Sequence, residues 1–185
     1  MTGKASIIFL HGASSSGKST LARMLQDRIE RPFWHISIDH LRDSGVLPLG
    51  RVKAGDFKWR EMRAPFFADY HASLAAYAAA GNNLIVEHIL DTRGWQGELA
   101  ELFRPFDVLF VALHCPVEEL NRRELARGDR PVGSAEKDAL TIHEGRRYDL
   151  ELQTGDGVEE NVERVMAAWQ GERVAARFFE VTEGK

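Results

Sequence analysis

The chain has 185 residues, is 44% hydrophobic and carries a formal net charge of −4, values that predict one soluble globular domain over residues 1–185. The acidic balance argues against general nucleic-acid binding, and the single cysteine, Cys115, excludes an internal disulfide framework. No apolar run reaches the roughly 20 residues of a membrane-spanning helix or forms the core of a signal peptide, so we expect a cytoplasmic protein with no membrane partner.

Short apolar runs alternate with helical patterns along the chain, which indicates a parallel sheet with crossover helices. The predicted strands are 6–11 (SIIFLH), 33–38 (FWHISI), 83–88 (NLIVEH), 107–114 (DVLFVALH) and 148–153 (YDLELQ). The first four are nearly continuous apolar runs, as expected of strands that are buried on both faces. The fifth alternates more, which makes it a candidate for an edge of the sheet.

Apolar residues at helical spacing lie between these strands and after the last one. Their helical faces comprise Leu21, Met24, Leu25 and Ile29; Trp59, Met62, Phe66, Tyr70, Leu74 and Tyr77; and Val158, Val162, Val165, Met166 and Trp169. Pro65 is expected to begin or kink the second helix, and residues 81–83 (GNN) to end it. Asp156 is a candidate cap for the last helix, and residues 43–57 are predicted to be a long loop.

Residues 12–19 (GASSSGKS) match G-x-x-x-x-G-K-[ST], the P-loop motif, between an apolar strand and a leucine-spaced helix. The glycines let the backbone wrap closely around a diphosphate, and successive N–H groups then point at the anion. In this motif the lysine reaches the β- and γ-phosphates and the final hydroxyl binds Mg²⁺. The predicted nucleotide contacts are Gly12, Ala13, Ser14, Ser15, Ser16, Gly17, Lys18, Ser19 and Thr20. The motif alone does not distinguish a kinase from a GTPase or a motor ATPase.

Carboxylates follow the second and third predicted strands. Asp39 closes the sequence ISID and Glu87 lies near the end of NLIVEH, so both are expected where ligands bind, beyond the carboxyl ends of parallel strands. Asp39 is predicted to take the proton of a substrate hydroxyl; the alternative is that it caps the following helix. Glu87 is predicted to hold Mg²⁺ through water, with Asp91 as a competitor, and the alternative for Glu87 is a buried pair with an arginine.

Three arginines in residues 121–131 (NRRELARGDRP) are spaced for one helical face. Arg123, Arg127 and Arg130 are four and three residues apart, and arginines that close over a nucleotide neutralise charge on the transferred phosphoryl group. The turn residues that follow predict a lid at about residues 127–136. The alternative is a solvated basic helix end, stabilised by the helix dipole.

The remaining motifs are weaker. The seven histidines show no metal-ligand spacing and are expected to be structural or exposed, with His143 a candidate neighbour of the site. Residues 91–94 (DTRG) fit the D-x-x-G motif of GTPases, but the guanine-reading N-K-x-D motif does not occur in the sequence. The sequence therefore disfavours a GTPase.

With these motifs in place, the chain resembles the chloramphenicol phosphotransferases, small P-loop kinases that phosphorylate a hydroxyl group of the antibiotic. The resemblance rests on residues 11–19 (HGASSSGKS), 36–41 (ISIDHL) and 115–154 (CPVEELNRRELARGDRPVGSAEKDALTIHEGRRYDLELQT). The third block is the most specific, because the succession of C-P, R-R-E-x-A-R-G-D-R and Y-D-x-E is not a general feature of P-loop proteins.

The resemblance implies an α/β P-loop NTPase fold of three layers, with a five-stranded parallel sheet of order 2-3-1-4-5 flanked by helices. It implies that Asp39 is the catalytic base and that the P-loop and the arginines around 123–130 bind ATP, with Mg²⁺ as the metal. The chain departs from the family at Gln153, where the family tends to carry an aspartate, and in segments 86–95 and 43–64. Because these parts would lie near the acceptor, phosphoryl transfer is the firmer implication and chloramphenicol the weaker one.

Together these features predict an ATP-dependent O-phosphotransferase that moves the γ-phosphate to a hydroxyl of chloramphenicol or of another hydroxylated antibiotic or metabolite. The residues assigned to this reaction form three groups: catalytic Lys18, Asp39 and Arg130; nucleotide-binding Arg123 and Arg127 beside the P-loop; and metal-binding Ser19 and Glu87. A toxin-like nucleotide-sugar kinase and a non-catalytic nucleotide-binding switch are the alternatives, and a homo-oligomer is compatible with the sequence.

Overall fold

The computed structural model describes residues 4–127, 134–171 and 176–181. Within them, parallel strands form one sheet with the bounds β1 Ser6–His11, β2 Phe33–Ser37, β3 Asn83–His88, β4 Asp107–His114 and β5 Leu150–Gln153. The strand order is β2-β3-β1-β4-β5, which confirms the topology implied by the resemblance. The fifth strand lies at an edge as predicted, although it begins at Leu150 and not at Tyr148.

Helices connect the strands and follow the last of them. Their bounds are α1 Lys18–Arg28, α2 Ile38–Leu41, α3 Leu49–Lys53, α4 Trp59–Ala79, α5 Trp95–Phe103, α6 Val117–Arg127, α7 Ser134–Thr141 and α8 Val158–Gln170. In the part of the chain that is described, no helix combines the length and apolar character that crossing a bilayer requires.

Two local predictions are wrong, and one of the two alternatives for Pro65 is excluded. Segment 43–57 is not one long loop, because a short helical segment (Arg42–Val46) that is interrupted at Gly45, where φ is 89°, and α3 occupy most of it. Pro65 does not begin a helix but lies inside α4, where a proline removes a single backbone hydrogen bond. Asp156 does not cap α8; the cap position is Gly157, whose φ of 95° suits glycine, and Asp156 instead pairs with Arg164.

The sheet is buried on both faces, so successive residues of β1 point into different clusters. Ile7 and Phe9 belong to a cluster with α4 and α5, whereas Ile8 and Leu10 belong to a cluster with α1 and α8. The fold therefore has three layers, helix–sheet–helix. Phe178, in a short 3₁₀ turn (Arg177–Phe179) for which the sequence predicts no element, completes the first cluster and is fully buried.

The strand order also sets the layout of the site. The P-loop follows β1 at the centre of the sheet, β2 and β3 end on one side of it, and β4 and β5 end on the other. Since all five strands are parallel, their carboxyl ends lie at one edge, where ligands of open α/β sheets bind.

Candidate active site

The P-loop has the backbone conformation of an anion-binding turn. Gly17 directly precedes α1 with φ 101°, and Ser15 also has a positive φ of 62°. At Gly12 an added Cβ would lie 2.6 Å from the carbonyl oxygen of Leu113, so the start of the loop packs too closely against β4 for any side chain. The backbone N–H groups of the loop therefore lie next to the amino terminus of α1, the arrangement by which proteins bind phosphate.

Lys18 lies inside the loop. Its side chain is buried, and Nζ donates hydrogen bonds to the carbonyl oxygens of Gly12 at 2.8 Å and Ala13 at 2.7 Å. The loop is also tied to the far side of the sheet, because Thr154 Oγ1 contacts the carbonyl oxygens of Ser16 and His114, each at 2.9 Å. The ammonium group is thus already held at the position from which it would meet a phosphate.

A cavity of about 750 Å³ opens over the P-loop, a size typical of small-molecule sites. The P-loop residues that line it are Ser14, Ser15, Ser16, Gly17, Lys18, Ser19 and Thr20. On the β4–β5 side the lining residues are Leu113, Arg123, Ala126, Thr154, Val158 and Asn161. On the β2–β3 side they are Ser37, Ile38, Asp39, Arg42, Trp59, Arg63, Phe67, Glu87, His88, Ile89, Asp91 and Trp95. The cavity therefore extends from the predicted phosphate site to the residues on the β2–β3 side, and we call the part that these residues line the second compartment.

Asp39 lies at the mouth of that second compartment. It is in the first turn of α2, just beyond β2, and Arg42 Nη1 contacts its Oδ1 at 2.9 Å. The helix is capped instead by Ser37, whose Oγ accepts a hydrogen bond from the backbone N–H of His40. The alternative role of Asp39 as the cap is therefore wrong, and its partly exposed carboxylate is available to the cavity.

Glu87 lies beside the P-loop in a buried position. Its Oε1 contacts His35 Nε2, and its Oε2 accepts a hydrogen bond from Ser19 Oγ at 2.9 Å. Burial raises the pKa of the Glu87 carboxyl, but the hydrogen bonds from His35 and Ser19 and the charge of Lys18 outweigh it and hold the pKa below its ordinary value. The partner of this carboxylate is a histidine, so the predicted alternative of an arginine pair is wrong.

Asp91 is engaged elsewhere. Arg63 Nη2 donates to both of its carboxylate oxygens, at 2.7 and 2.8 Å, and the guanidinium lies over the rings of Phe67 and Trp95 at 4.9 and 4.7 Å from their centroids. A carboxylate with both oxygens on one guanidinium is a poor competitor for a cation. Of the two candidates, Glu87 is therefore the one placed beside Ser19.

The Ser19–Glu87 pair fits a magnesium ion. Adjacent ligand oxygens of octahedral Mg²⁺ lie about 2.9 Å apart, because each Mg–O bond is about 2.0–2.1 Å long. Ser19 Oγ and Glu87 Oε2 are 2.9 Å apart, a spacing that suits direct contact of both oxygens with the ion, whereas the sequence-based prediction placed a water between Glu87 and Mg²⁺. Over the residues described, no group of three or more His, Cys, Asp or Glu side chains forms a complete cation site.

The predicted arginines are only partly within the described residues. Arg123 lines the cavity on α6, donating through Nη1 to the carbonyl oxygen of Ser15 at 3.2 Å and through Nε to Glu119 at 2.6 Å. Arg127 is the last residue of α6, and its side chain lies outside the description. Arg130 and most of the predicted lid at 127–136 also lie outside the described residues.

Several histidines form a polar network beneath the site. His11 Nε2 donates to the carbonyl oxygen of Ile89, which leaves Nδ1 to accept from Tyr148 Oη at 2.9 Å; that oxygen in turn accepts from His143 Nδ1 at 2.8 Å. Burial lowers the pKa of His11 well below 6.5 and that of His143 to about 4, so both rings are neutral at pH 7. His143 therefore supports the strand end from which the P-loop starts and is not among the residues that line the cavity.

The sequence also contained a signal that motif matching misses. Trp59, Arg63 and Phe67 are spaced four residues apart on α4 and all line the cavity, so they form one helical face toward the ligand. Trp59 was expected on the core face of this helix, and Arg63 was not singled out. Helical spacing alone predicts that these residues share a face but does not show what that face meets.

The fold is shared with known kinases. A gluconokinase from Sinorhizobium meliloti 1021 superposes with a TM-score of 0.62 at 20% identity, covering 89% of this chain and 91% of that one. A shikimate kinase from Acinetobacter baumannii, solved in complex with shikimate, superposes with a TM-score of 0.61 at 17% identity, covering 92% and 96%. These similarities confirm the P-loop NTPase fold.

The fold, the P-loop and the relatives define a phosphotransferase of the kinase type. More particularly, the chain belongs to the chloramphenicol phosphotransferase-like family, whose model matches residues 5–170. The Mycobacterium tuberculosis protein named "Putative O-phosphotransferase Rv2636" (strain ATCC 25618 / H37Rv) is 31% identical over an alignment of 168 residues that covers 80% of this chain and 74% of that protein. The predicted family and the predicted enzyme class are thereby confirmed.

Proposed function

We propose that the protein is an ATP- and Mg²⁺-dependent O-phosphotransferase that moves the γ-phosphate of ATP to a hydroxyl of a neutral small molecule, such as chloramphenicol or another hydroxylated antibiotic or metabolite. One observation carries the proposal: Lys18, Ser19, Asp39 and Glu87 line a single cavity that extends past the phosphate site. The part of the cavity that is lined from the β2–β3 side lies beyond the P-loop and would take a second ligand, which a switch that only binds nucleotide would not need.

Each residue has a role that its position supports. The P-loop N–H groups and Lys18 would hold the β- and γ-phosphates, with Lys18 exchanging its two backbone acceptors for phosphate oxygens. Asp39 would accept the proton of the acceptor hydroxyl as that oxygen bonds to the γ-phosphorus and the bond to the β-phosphate oxygen breaks, releasing ADP. Ser19 and Glu87 would hold Mg²⁺, which neutralises phosphate charge when bound. Arg123 would contribute positive charge from α6.

The charged side chains that line the second compartment favour a neutral acceptor. Arg42 contacts Asp39 at 2.9 Å and Asp43 at 2.8 Å, and Arg63 is held by Asp91 at 2.7 Å. Each guanidinium is thus matched by a carboxylate, so neither offers an uncompensated charge to an anionic substrate. The aromatic side chains that line this compartment, Trp59, Phe67 and Trp95, favour an acceptor with a ring or another apolar face.

The test is to incubate the protein with ATP and Mg²⁺ against a panel of chloramphenicol, other hydroxylated antibiotics, free sugars and a nucleotide sugar, and to follow phosphate transfer by ³¹P NMR. We expect a new phosphoester signal with at least one acceptor. Asp39→Asn should reduce transfer by about 10²–10⁴-fold, the usual contribution of a general base, and leave ATP affinity nearly unchanged. Asp27→Asn, an exposed aspartate on α1, is the matched control.

Three outcomes would contradict the proposal. Wild-type transfer by Asp39→Asn would remove the assignment of the base. Release of inorganic phosphate alone with every acceptor would favour the nucleotide-dependent switch, and transfer only to a nucleotide sugar would favour the toxin-like kinase.

A further inference from the structure

We propose that His35 is a positioning residue that holds the Glu87 carboxylate beside Ser19 and thereby sets the affinity of the site for a divalent cation. This inference rests on the function proposed above, because it takes Ser19 and Glu87 as the protein groups that hold Mg²⁺. His35 lies in β2 and belongs to none of the motifs in the sequence. It does not line the cavity, so it would act through Glu87 and not on a ligand.

The strand register places His35 behind Glu87. In the parallel pairing of β2 with β3, Ser37 lies opposite Glu87 and His35 lies opposite Ile85. Because side chains alternate along a strand, His35, Ser37 and Glu87 project to the same face of the sheet. His35 is two residues further from the carboxyl ends of the strands than Ser37, which puts it on the side of Glu87 that faces away from the P-loop.

The two carboxylate oxygens of Glu87 therefore contact different residues. Oε1 meets His35 Nε2, and since an ionised carboxylate only accepts hydrogen bonds, the ring nitrogen must carry the hydrogen. Oε2 meets Ser19 Oγ at 2.9 Å. With one hydrogen-bond donor on each oxygen, the carboxylate has little freedom to rotate. Without the contact to His35, rotation of the carboxylate would move Oε2 away from Ser19.

Water cannot easily replace this contact. The side chains of His35 and Glu87 are only 6% and 8% exposed, so a carboxylate that lost its histidine would turn toward other buried donors. Lys18, whose charge acts on Glu87, is one such group of opposite charge. Groups that orient a metal-binding carboxylate from behind typically contribute about 10–100-fold to metal affinity.

The experiment measures Mn²⁺ binding in the presence of ADP, by electron paramagnetic resonance of free Mn²⁺, and requires no acceptor. Glu87→Gln should weaken binding, which tests the metal site itself. His35→Leu should weaken Mn²⁺ binding about 10–100-fold, and His35→Gln, which keeps an N–H donor at a similar reach, should restore most of it. His40→Gln is the matched control, because the centroid of the His40 ring lies 4.7 Å from that of the His35 ring but His40 is exposed.

The double variant makes the test specific. If His35 acts only through Glu87, His35→Leu should cause no further loss in the Glu87→Gln background. Wild-type Mn²⁺ affinity in a folded His35→Leu protein overturns the inference, as does an equal loss in both backgrounds. If Glu87→Gln also leaves the affinity unchanged, the metal assignment in the proposed function fails instead. Should His35→Leu not fold, His35→Asn, a polar side chain too short to reach Glu87, provides the same comparison.

Discussion

Arg63 and Asp91 form an ion pair in which a single nitrogen, Nη2 of Arg63, lies 2.7 and 2.8 Å from the two carboxylate oxygens. The pair joins α4 to the segment after β3 and forms part of the cavity wall. Because Arg63 contacts both oxygens of Asp91, the carboxylates of Asp91 and Glu87 have different surroundings although they are close in sequence. Asp91 pairs with Arg63 in the cavity wall, whereas Glu87 lies beside the P-loop hydroxyl.

This division predicts different effects of removing each charge. Asp91→Asn should leave Mn²⁺ and ADP affinity within about twofold of wild type, while Glu87→Gln should lower Mn²⁺ affinity. Since the Arg63 and Asp91 side chains are 30% and 38% exposed, the lost pair should reduce the free energy of unfolding by only about 1 kcal/mol. Isothermal titration and urea unfolding would measure both quantities. Asp56→Asn, which breaks an exposed Arg51–Asp56 pair, is the control, and a large loss of metal affinity in Asp91→Asn would contradict the assignment.

A second prediction concerns Lys18. Its Nζ is buried in the loop with two backbone acceptors, so Lys18→Ala removes a charged donor from the place where phosphates would bind. A hydrogen bond to a charged group contributes about 1.5–3 kcal/mol, and ATP affinity should therefore fall about 10–100-fold, with turnover falling as well. Equilibrium dialysis with ATP would measure the loss. Lys53→Ala, at the exposed end of α3, should bind normally; unchanged affinity in Lys18→Ala would contradict a working P-loop.

The third prediction concerns the segment after the family match, which ends at residue 170. Phe178 is fully buried, with its ring centroid 4.9 Å from that of Phe9 and 5.0 Å from that of Phe110. Phe178→Ala should lower the free energy of unfolding by about 3–5 kcal/mol, the usual effect of emptying such a site. Phe179→Ala, at 37% exposure, should have a much smaller effect. Urea unfolding curves that coincide for the two variants would show that the segment does not complete the core.

The fourth prediction concerns pH. His88 Nδ1 accepts from the N–H of Leu90 and its Nε2 donates to His71 Nε2 at 3.0 Å, so both buried rings must be neutral. Burial lowers the pKa of His71 from 6.5 to about 4, and burial also lowers the pKa of His88 well below 6.5. The unfolded chain therefore binds more protons below pH 6.5, and stability should be complete above that pH and fall between about 6.5 and 4.

A variant separates this effect from general acid denaturation. His71→Gln should destabilise the protein at pH 7.5, and the difference from wild type should shrink on acidification by roughly 1.4 kcal/mol for each pH unit below 6. His114→Gln, at a partly exposed ring paired with Glu151, should not show this pattern. Urea unfolding at pH 7.5, 6.0 and 5.0 gives the comparison, and a difference that stays constant with pH would contradict the neutral pair.

Some elements could be predicted from the sequence more accurately than others, and the differences have physical reasons. All five strands were predicted within two residues, because strands buried on both faces need continuous apolar runs. The segment after β2 was predicted wrongly, since its short helical turns are stabilised by contacts such as Arg42 with Asp39 and Asp43 and not by apolar periodicity. The family resemblance was confirmed because its motifs are long and specific.

By itself, the sequence determined the phosphate loop, the strand pattern and the class of chemistry, because each depends on residues that are contiguous or evenly spaced. Only the tertiary structure decided which carboxylate stands beside Ser19, and that His35 supports it. His35, Ser19 and Glu87 lie on different strands and helices, and their contacts arise from the register of β2 with β3 and the position of α1. Side-chain hydrogen bonds act over about 3 Å, so no spacing along the chain specifies them until the strands have been paired.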